Sequence, residues 1–419
     1  MHRLRAAARR SLVHLLFALL AAAPAAAQGT TGSIAGFVTD QSKAALPGAP
    51  VTVTNVETGQ RRTLVTDDRG QYRAGELAPG SYVVTVELSG FRTEQVQNLP
   101  ITVGQTAEVN LQMQIGGMTE KVVVTADAAV VGTRQSAVAA LVDQTQIREL
   151  PLNGRDFSQL TTLQLGVTTS PSTSRQVDRG MGTQVSIAGA RPNQISFQVD
   201  GADVNTQGNG APGSAAGGML GVDTVREFQV LVNNYSAEYG RSSGGIVVAV
   251  TRSGTNTLSG GLFEFNRDSR FDSKTYFDPA DAKIPPLTRN QFGGQLGGPI
   301  AKDRTFFFGS YEGLRQTLGT TTIATVPSRA TRARTDLSPV TRPYLLLYPE
   351  PNGPDRGAVA DYTAESDAPT RENYAVGKVD HALSRAQSVS VKYSWDRARV
   401  ARLGTVAMLV VPSVWRSPS

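Results

Sequence analysis

Residues 116–126 combine an acidic side chain with a short apolar run whose chemistry is that of backbone pairing. The run and its flanks are Glu120, Lys121, Val122, Val123, Val124, Thr125 and Ala126. β-Branched valines favour a strand, yet no turn and return strand lie beside them in the sequence. Because the backbone groups of a strand need partners, a strand of another protein can supply them by β-augmentation. The alternative is that the run is the last edge strand of the preceding domain.

The sequence offers little that could carry catalysis. It contains no cysteine and three histidines, His2, His14 and His381. This composition excludes thiol nucleophiles and thiolate metal sites and leaves almost no histidine-based site. No nucleophile motif is present, and no two carboxylates stand at a meaningful spacing. We therefore predict no enzyme activity, no catalytic residue, no metal site and no cofactor.

Residues 1–27 have the pattern of a secretory signal. Four arginines precede an apolar stretch at 12–23, and small residues lead to a predicted cleavage after Ala27. A retained membrane anchor is the alternative, but the apolar stretch is too short to span a membrane. Without the four arginines of the signal, the 41 basic residues fall to 37 against 35 acidic residues. The mature chain is close to neutral, so we predict no binding of nucleic acid.

Residues 28–115 alternate in the way that half-buried strands of an all-β domain do. Tyr82 and Val84 share one face of a predicted strand, and turns containing Pro or Gly separate the strands. The motifs GSIAGFVTD, LPGAPVTVTN and TDDRGQYRAGELAPGSYVVTVELSGF resemble the carboxypeptidase regulatory-like domain, a transthyretin-like β-sandwich. The resemblance implies an accessory domain without catalytic zinc. For Tyr72, Tyr82 and Phe91 we favour a place in the core over a sugar-binding platform.

Residues 127–255 mix helical pieces, glycine-rich loops and short strands, which predicts an α+β unit. Asp143 caps a predicted helix and has Gln146 at the third helical position. A second helical piece has one apolar face, formed by Phe157, Leu160 and Leu163. The runs QVSIAG and ISFQVDG predict a hairpin around a turn of Pro and Asn, and a helix, strand, turn and strand close the segment.

Three stretches of this unit resemble the plug domain of TonB-dependent outer-membrane receptors, above all of the subgroup with an N-terminal regulatory-like domain. They are LPLNGRDFSQL, SIAGARPNQISFQVDGADVN and VREFQVLVNNYSAEYGRSSGGIVVAVTRSGTN. For residues 153–156 we favour turn formation and packing of the plug against the barrel wall over contact with a ligand. The glycine-rich stretch at 208–219 is interpreted as a plug loop, with ligand contact as the alternative.

From residue 256 onward, short alternating strands are joined by connections of sharply unequal length, as in outer-membrane barrels. The predicted strands are 257–267, 289–299, 304–316, 372–381 and 386–398. The four connections between them run long, short, long and short. In a barrel, the long connections are extracellular and the short ones periplasmic.

The last predicted strand shows the clearest division into two faces. Its apolar side, predicted to face lipid, consists of Val389, Val391, Tyr393 and Trp395. Its polar side, predicted to face the lumen and the plug, includes Lys392 and Asp396. In the first strand, Phe263 and Phe265 alternate with polar residues, and we predict that they face lipid in the same sense.

These resemblances imply a fold and a set of partners. The fold is mainly β: a transthyretin-like β-sandwich (28–115), then an α+β plug domain (127–255), then the first strands of a transmembrane β-barrel (256–419). The segment at 116–126 is similar to the TonB box of the family, which implies a TonB-type periplasmic coupling protein as partner. Lys121 departs from the small hydroxyl residue usual there, which leaves the register of the box open.

The same resemblance implies a location and a ligand class. The chain is expected in the outer membrane of a Gram-negative bacterium, in contact with outer-membrane lipid and with its accessory domain in the periplasm. The ligand is an unidentified small solute or glycan. The alternative function is surface adhesion or carbohydrate binding through the sandwich, with the barrel as an anchor.

The barrel is expected to be incomplete. A plugged transporter barrel has about 22 strands, of which the sequence predicts a small share, so we expect an N-terminal fragment. After Arg402 the stretch LGTVAMLVVPSVWRSPS loses alternation, and we expect it not to continue the strand pattern. A frameshift or a gene-model boundary is the hypothesis for this change.

Overall fold

The structure is a computed structural model of the chain. It describes residues 30–116, 121–125, 138–150, 152, 155–169, 182–206, 208–213, 221–237, 239–240, 242–273, 284, 286–340, 342–345, 347–384, 387–406 and 409–416. The predicted signal and its cleavage site lie outside the described residues, as do residues 214–219 of the glycine-rich stretch.

The sandwich (residues 30–116) consists of two packed sheets. Its strands are β1 (Gly32–Thr39), β2 (Pro50–Asn55), β3 (Arg61–Val65), β4 (Gln71–Leu77), β5 (Gly80–Val86), β6 (Thr93–Ile101), β7 (Thr106–Glu108) and β8 (Leu111–Gln112). One sheet has the order β4-β1-β7, and β8 also pairs with β1. The second sheet runs β3-β2-β5-β6 and continues into β9 (Lys121–Thr125). Alternate residues of each strand meet between the sheets, where Ile34, Val84 and Met113 are fully buried.

The three aromatic residues singled out in the sandwich sequence belong to its core or pack against it. Tyr72 and Tyr82 are each 4% exposed. Their hydroxyls donate to the carbonyls of Val109 (2.8 Å) and Ala78 (2.7 Å), which satisfies the polar end of a buried tyrosine. Phe91 is partly buried against the same core. The prediction of core positions is confirmed, and the sugar platform is not formed by these three residues.

The plug unit (residues 138–251) has the predicted α+β character. Its strands are β10 (Val138–Val142), β11 (Val167–Thr169), β12 (Val185–Ile187), β13 (Ser196–Val199), β14 (Ala202–Asp203), β15 (Val225–Asn233) and β16 (Ile246–Thr251). The main sheet runs β10-β15-β16-β13-β14, and β11 pairs with β12. Helix α1 (Gln144–Glu149) starts at the predicted cap, where the Asp143 carboxylate accepts from the Gln146 amide at 2.9 Å. Short 3₁₀ helices cover Phe157–Leu163, Pro192–Gln194 and Val222–Thr224.

One prediction about this unit was wrong. The predicted hairpin does not form, because β12 pairs with β11 whereas β13 pairs in parallel with the fully buried strand β16. The 3₁₀ helix at Pro192–Gln194 carries the chain from one sheet to the other. The second predicted helical piece forms as the 3₁₀ helix Phe157–Leu163. Its three residues per turn place Leu160 and Leu163 on one side, as predicted, although Leu160 is buried and Leu163 is 65% exposed.

The barrel sheet (residues 259–416) is antiparallel throughout. Its strands are β17 (Ser259–Asp268), β18 (Leu287–Ala301), β19 (Thr305–Pro327), β20 (Asp355–Arg356), β21 (Val359–Ala382), β22 (Ser388–Val406) and β23 (Leu409–Arg416). Six of them follow one another in the order β17-β18-β19-β21-β22-β23, and β20 pairs with β21. The predicted long, short, long, short series of connections is confirmed. β19 and β21, at 23 and 24 residues, exceed the roughly ten residues that cross a bilayer, so the third connection is shorter than predicted.

The end of the chain also differs from the prediction. Residues after Arg402 were expected not to continue the strand pattern, but β22 extends to Val406 and β23 pairs with it over eight residues. Val and Trp favour strands even without alternation. Pro412 is tolerated because β23 lies at the end of the described sheet, where a missing N–H breaks no second ladder.

The two faces of the barrel sheet agree with the prediction in β22 and contradict it in β17. In β22, Val391 and Tyr393 are exposed on the outer side, whereas Lys392 contacts the plug unit. In β17, Phe263 faces the plug unit, because the Arg155 guanidinium lies 3.8 Å from its ring centroid and 5.0 Å from that of Phe265. The predicted lipid-facing position of the two phenylalanines was wrong. Phe263 is half-buried and Phe265 is 53% exposed, and the cation–π contacts with Arg155 place both rings on the plug side of the strand.

The remaining helices are short. α2 (Arg329–Ala333) and α3 (Arg342–Leu345) lie in the third connection of the barrel sheet. Within the described ranges, no helix has both the length and the apolar character required to cross a membrane.

The reversed faces of β17 can be tested by cysteine labelling, since the chain has no cysteine of its own. Leu262 is 92% exposed, so Leu262→Cys should react with a small maleimide several-fold faster than Phe263→Cys in detergent micelles. Val391→Cys, on the outer side of β22, is the matched exposed control. Faster labelling at residue 263 than at 262 would contradict the assignment.

Candidate coupling site and its junction with the plug

The predicted coupling segment forms a strand with a partner inside the same chain. β9 pairs in parallel with β6, with Thr93 opposite Lys121 and Gln97 opposite Thr125. The expectation that its backbone lacks a neighbour was therefore wrong. The sequence showed no return strand nearby, whereas the partner is an edge of the preceding sandwich, 28 residues upstream (Thr93 against Lys121). The structure supports the alternative of an edge strand for its position, while its coupling role stays a prediction.

The pairing register places β9 beside β6, at an edge of the sandwich that is partly buried. Glu94, the register partner of Val122, is buried, and Val122 is half-buried. Val123 is 49% exposed. Of the seven residues assigned to coupling, Lys121 to Thr125 are brought together on β9, whereas Glu120 and Ala126 lie outside the described residues. Among the described strands, none pairs with the other edge of β9.

The sandwich is seated on the plug unit through the turn that follows β6. Val103 is fully buried in an apolar cluster of the plug unit, formed with Leu231, Tyr239, Ile246, Val248 and Val250. Its amide donates to Glu227 Oε1 at 2.6 Å. Burial raises the pKa of the Glu227 carboxyl above its ordinary value, although the Val103 amide and the Arg226 guanidinium lower it. A buried acceptor is thereby matched to a buried donor across the junction.

An ion pair lies beside this apolar contact. The Arg226 guanidinium donates two hydrogen bonds, each 2.9 Å long, to the carboxylate of Glu57 in the β2–β3 turn. Burial lowers the pKa of Arg226, but its hydrogen bonds and charge interaction with Glu57 exceed that effect and raise the pKa overall. Bidentate pairs of this kind fix orientation as well as contributing attraction.

The sandwich also touches the short connection of the barrel sheet. The Asn256 amide donates to the Glu57 carbonyl at 2.9 Å, and the Asn256 side chain donates to Asp303 Oδ1 at 2.7 Å. The backbone of Asp303 donates back to Asn256 Oδ1 at 2.9 Å. The sandwich is thus placed at the end of the barrel sheet where the predicted periplasmic connection lies.

Charged side chains hold the plug unit against the barrel sheet. Arg155 pairs with Asp223 on its own unit and lies 3.4 Å from Glu312 Oε1 on β19. Glu312 accepts from the Gly221 amide at 2.8 Å and from Gln291 Nε2 at 2.6 Å. Packing against the wall, favoured from the sequence for residues 153–156, is confirmed for Arg155; residues 153 and 154 lie outside the described part of the chain.

A second charged contact joins β13 to the far strands of the sheet. Lys392 Nζ donates to Asp200 Oδ2 at 2.6 Å, and the Thr251 amide and hydroxyl donate to the same carboxylate at 2.8 and 2.7 Å. Burial by itself raises the pKa of Asp200, but the positive charges of Lys378 and Lys392 and these hydrogen bonds exceed it. The pKa of Asp200 therefore lies below its ordinary value.

Sequence reasoning missed these junction residues. Glu57 and Val103 belong to none of the motifs above, and a valine in a predicted turn is the one local signal that could have pointed to Val103. Asp200 and Arg226 lie inside the plug-like stretches SIAGARPNQISFQVDGADVN and VREFQVLVNNYSAEYGRSSGGIVVAVTRSGTN, but neither stretch indicates their partners. In the residues that the structure describes, no group of three or more Asp, Glu, His or Cys side chains could hold a metal ion.

Comparisons with known families match the sandwich and the first part of the barrel sheet. Residues 33–114 match the family described as the carboxypeptidase regulatory-like domain, and residues 250–336 match the family described as an outer membrane beta barrel domain. Over 307 residues the chain is 27% identical to the TonB-dependent transporter Oar of Myxococcus xanthus, a match that covers 70% of this chain and 27% of that protein. The chain therefore spans about a quarter of the length of this curated relative.

Three solved structures match part of the chain, each with a TM-score below 0.5. The transporter YddB of Escherichia coli is 13% identical, with 63% of this chain and 33% of that chain covered and a TM-score of 0.43. The ferric enterobactin receptor PfeA of Pseudomonas aeruginosa is 17% identical, with 64% and 34% covered and a TM-score of 0.37. The siderophore receptor PirA of Acinetobacter baumannii is 15% identical, with 66% and 43% covered and a TM-score of 0.33.

The ion pair at the junction can be tested by a double-mutant cycle. Glu57→Gln and Arg226→Gln should each weaken seating of the sandwich by about 1–3 kcal/mol, and the double variant by less than the sum. The measurement is hydrogen exchange of the Val103 amide, which should become faster in each variant. Arg69→Gln, at an exposed turn of the sandwich, is the control. Additive effects of the two variants would show that the pair is not coupled.

The contact at Asp200 should depend on pH in a defined direction. Because the pKa of Asp200 is lowered in the folded protein, its contribution to stability is present above the unfolded pKa of about 3.9. It is lost as pH falls through the lower folded value. Asp200→Asn should lower the unfolding temperature in detergent at pH 6, and the difference from the unchanged chain should vanish towards pH 2. A difference that persists unchanged at pH 2 would refute this role of the carboxylate.

Proposed function

We propose that this chain belongs to the TonB-dependent outer-membrane receptors with an N-terminal carboxypeptidase regulatory-like domain and serves energy-coupled uptake of a solute across the outer membrane. The observation that carries the proposal is the order of parts along the chain. A sandwich, a short strand, a plug unit and an antiparallel barrel sheet follow one another, and the plug unit is packed against the inner side of the sheet by Arg155 and Asp200.

In the proposed mechanism, the plug unit blocks the barrel until it is pulled. Residues 120–126 are the coupling segment, and a TonB-type periplasmic protein binds them through main-chain hydrogen bonds. Force on the segment reaches the plug, whose ion pairs with the wall hold it in place until then. Extracellular connections and the upper side of the plug capture a small solute or glycan.

The proposed location follows from the same parts. Residues 1–27 direct export and are removed after Ala27, the barrel lies in outer-membrane lipid, and the sandwich lies in the periplasm. The curated relative Oar is a transporter, which supports a role without catalysis. The alternative of glycan binding through the sandwich has no support from Tyr72 and Tyr82, since both rings are buried.

The coupling assignment is tested by proline at the centre of β9. Val123→Pro removes a backbone donor and should lower the affinity of the purified periplasmic domain of the host's TonB-type protein by about tenfold or more. In a full-length receptor, the same change should abolish uptake and leave surface binding of the solute intact.

The matched control is Val123→Thr, which keeps the backbone N–H and the preference for a strand. Because main-chain pairing tolerates changes of side chain, this variant should bind the periplasmic domain as the unchanged chain does. Equal binding by the proline variant would remove residues 120–126 from the mechanism.

A further inference from the structure

The position of β9 raises the question of how a partner reaches it. One edge of the strand is occupied by β6, and within the described residues its other edge has no neighbour. In a sheet, the backbone groups of alternate residues point to opposite edges, so about half of the groups of β9 are directed away from β6. These groups form the open edge of β9.

The chain restrains β9 on the sandwich from its N-terminal side. Immediately before the segment, the Arg92 amide donates to the Gln114 carbonyl at 2.8 Å and the Gly116 amide donates to the Gly90 carbonyl at 3.2 Å. Only residues 117–120 separate this anchored stretch from β9. A tether so short gives the strand an effective concentration at β6 on the order of millimolar or higher. A partner that had to displace β9 from β6 would compete against that concentration.

A partner that adds to the open edge meets no such competition. It also finds the segment already extended, so the ordering of a free peptide has been completed before binding. Val123, which is 49% exposed, gives such a partner a side chain to contact, whereas half-buried Val122 is partly covered by the sandwich.

We propose that the recognition surface is the sandwich and β9 together: the coupling protein adds a strand to the open edge of β9 and extends the sheet β3-β2-β5-β6-β9 to six strands. This inference rests on the proposed function of residues 120–126. It assigns the sandwich a role as the support that presents the coupling segment, rather than that of a detached accessory domain.

The test fixes β9 on β6 and asks whether the partner still binds. Gln97→Cys combined with Thr125→Cys introduces cysteines at register partners of a chain without other cysteines. The full chain is purified in detergent micelles and oxidised, and disulfide formation is verified by mass spectrometry. Affinity for the purified periplasmic domain of the host's TonB-type protein is then compared between the oxidised and reduced forms.

The oxidised form should bind within about threefold of the reduced form, because the locked strand keeps its open edge. Thr52→Cys combined with Thr63→Cys, a register pair on β2 and β3 whose hydroxyls lie 3.3 Å apart, is the matched disulfide control. Hydrogen exchange gives a second readout: amides of residues 93–97 should stay protected when the partner binds, while amides of β9 gain protection.

The opposite results overturn the inference in distinguishable ways. Binding by the reduced but not the oxidised form would show that β9 must leave β6, which leaves the proposed coupling role intact. Loss of protection in residues 93–97 on binding would show the same. Absence of binding in both forms and in the unchanged chain would overturn the coupling role itself. A cysteine pair that fails to oxidise would contradict the register between β6 and β9.

Discussion

Main-chain hydrogen bonding along β6 is the interaction on which the described arrangement depends. The first half of β6, from Thr93 to Gln97, pairs with β9. Its second half leads into the turn where Val103 enters the apolar cluster of the plug unit. One strand therefore joins the proposed coupling segment to the plug. Because a strand is inextensible over a few residues, a displacement of β9 is transmitted along β6 to the junction.

Both sides of the plug unit are held by a mixture of buried and half-buried contacts. Toward the sandwich, the buried contact of the Val103 amide with Glu227 adjoins the bidentate pair of Glu57 with Arg226. Toward the barrel sheet, Glu312 is buried and Asp200 pairs with Lys392. The side chains of Glu57 and Arg226 are 32% and 21% exposed, and those of Asp200 and Lys392 are 22% and 21% exposed. Because parting either side leaves a buried charge or hydrogen-bonding group without its partner, the plug unit is joined firmly to both neighbours.

Local sequence was enough to predict the sandwich, the capped helix and the series of connections in the barrel sheet. In each case the signal is short-range: alternation in β5, the Asp143 cap, or a short connection between two apolar runs. Local sequence failed to predict strand pairing where a strand had two possible neighbours. β12 and β13 are close in sequence and polar at their turn, yet β13 pairs with a strand some fifty residues away. The folded sheet decides which neighbouring strand pairs with a given strand through backbone hydrogen bonds. The local sequence pattern does not contain that information.

The candidate site shows the same division between local and distant signals. The composition of residues 120–126 indicates a strand, and the structure forms one; its pairing with β6 depends on the sandwich having an open edge at that place. The faces of β17 were reversed for a related reason. Nothing in the sequence around Phe263 indicates a nearby arginine, since Arg155 lies more than a hundred residues upstream.

The parallel orientation of β6 and β9 has a mechanical consequence for the proposed mechanism. Both strands run toward the plug end of the sandwich, because β6 leads directly to the Val103 turn and β9 runs alongside it in the same direction. A pull on β9 along its axis, away from the plug, loads the hydrogen bonds between the two strands together rather than one after another. Bonds loaded together resist separation, so the pull passes into β6 before β9 detaches. The pull therefore reaches the junction at Val103 and Glu57 through β6, and from there the charged contacts that hold the plug in the wall.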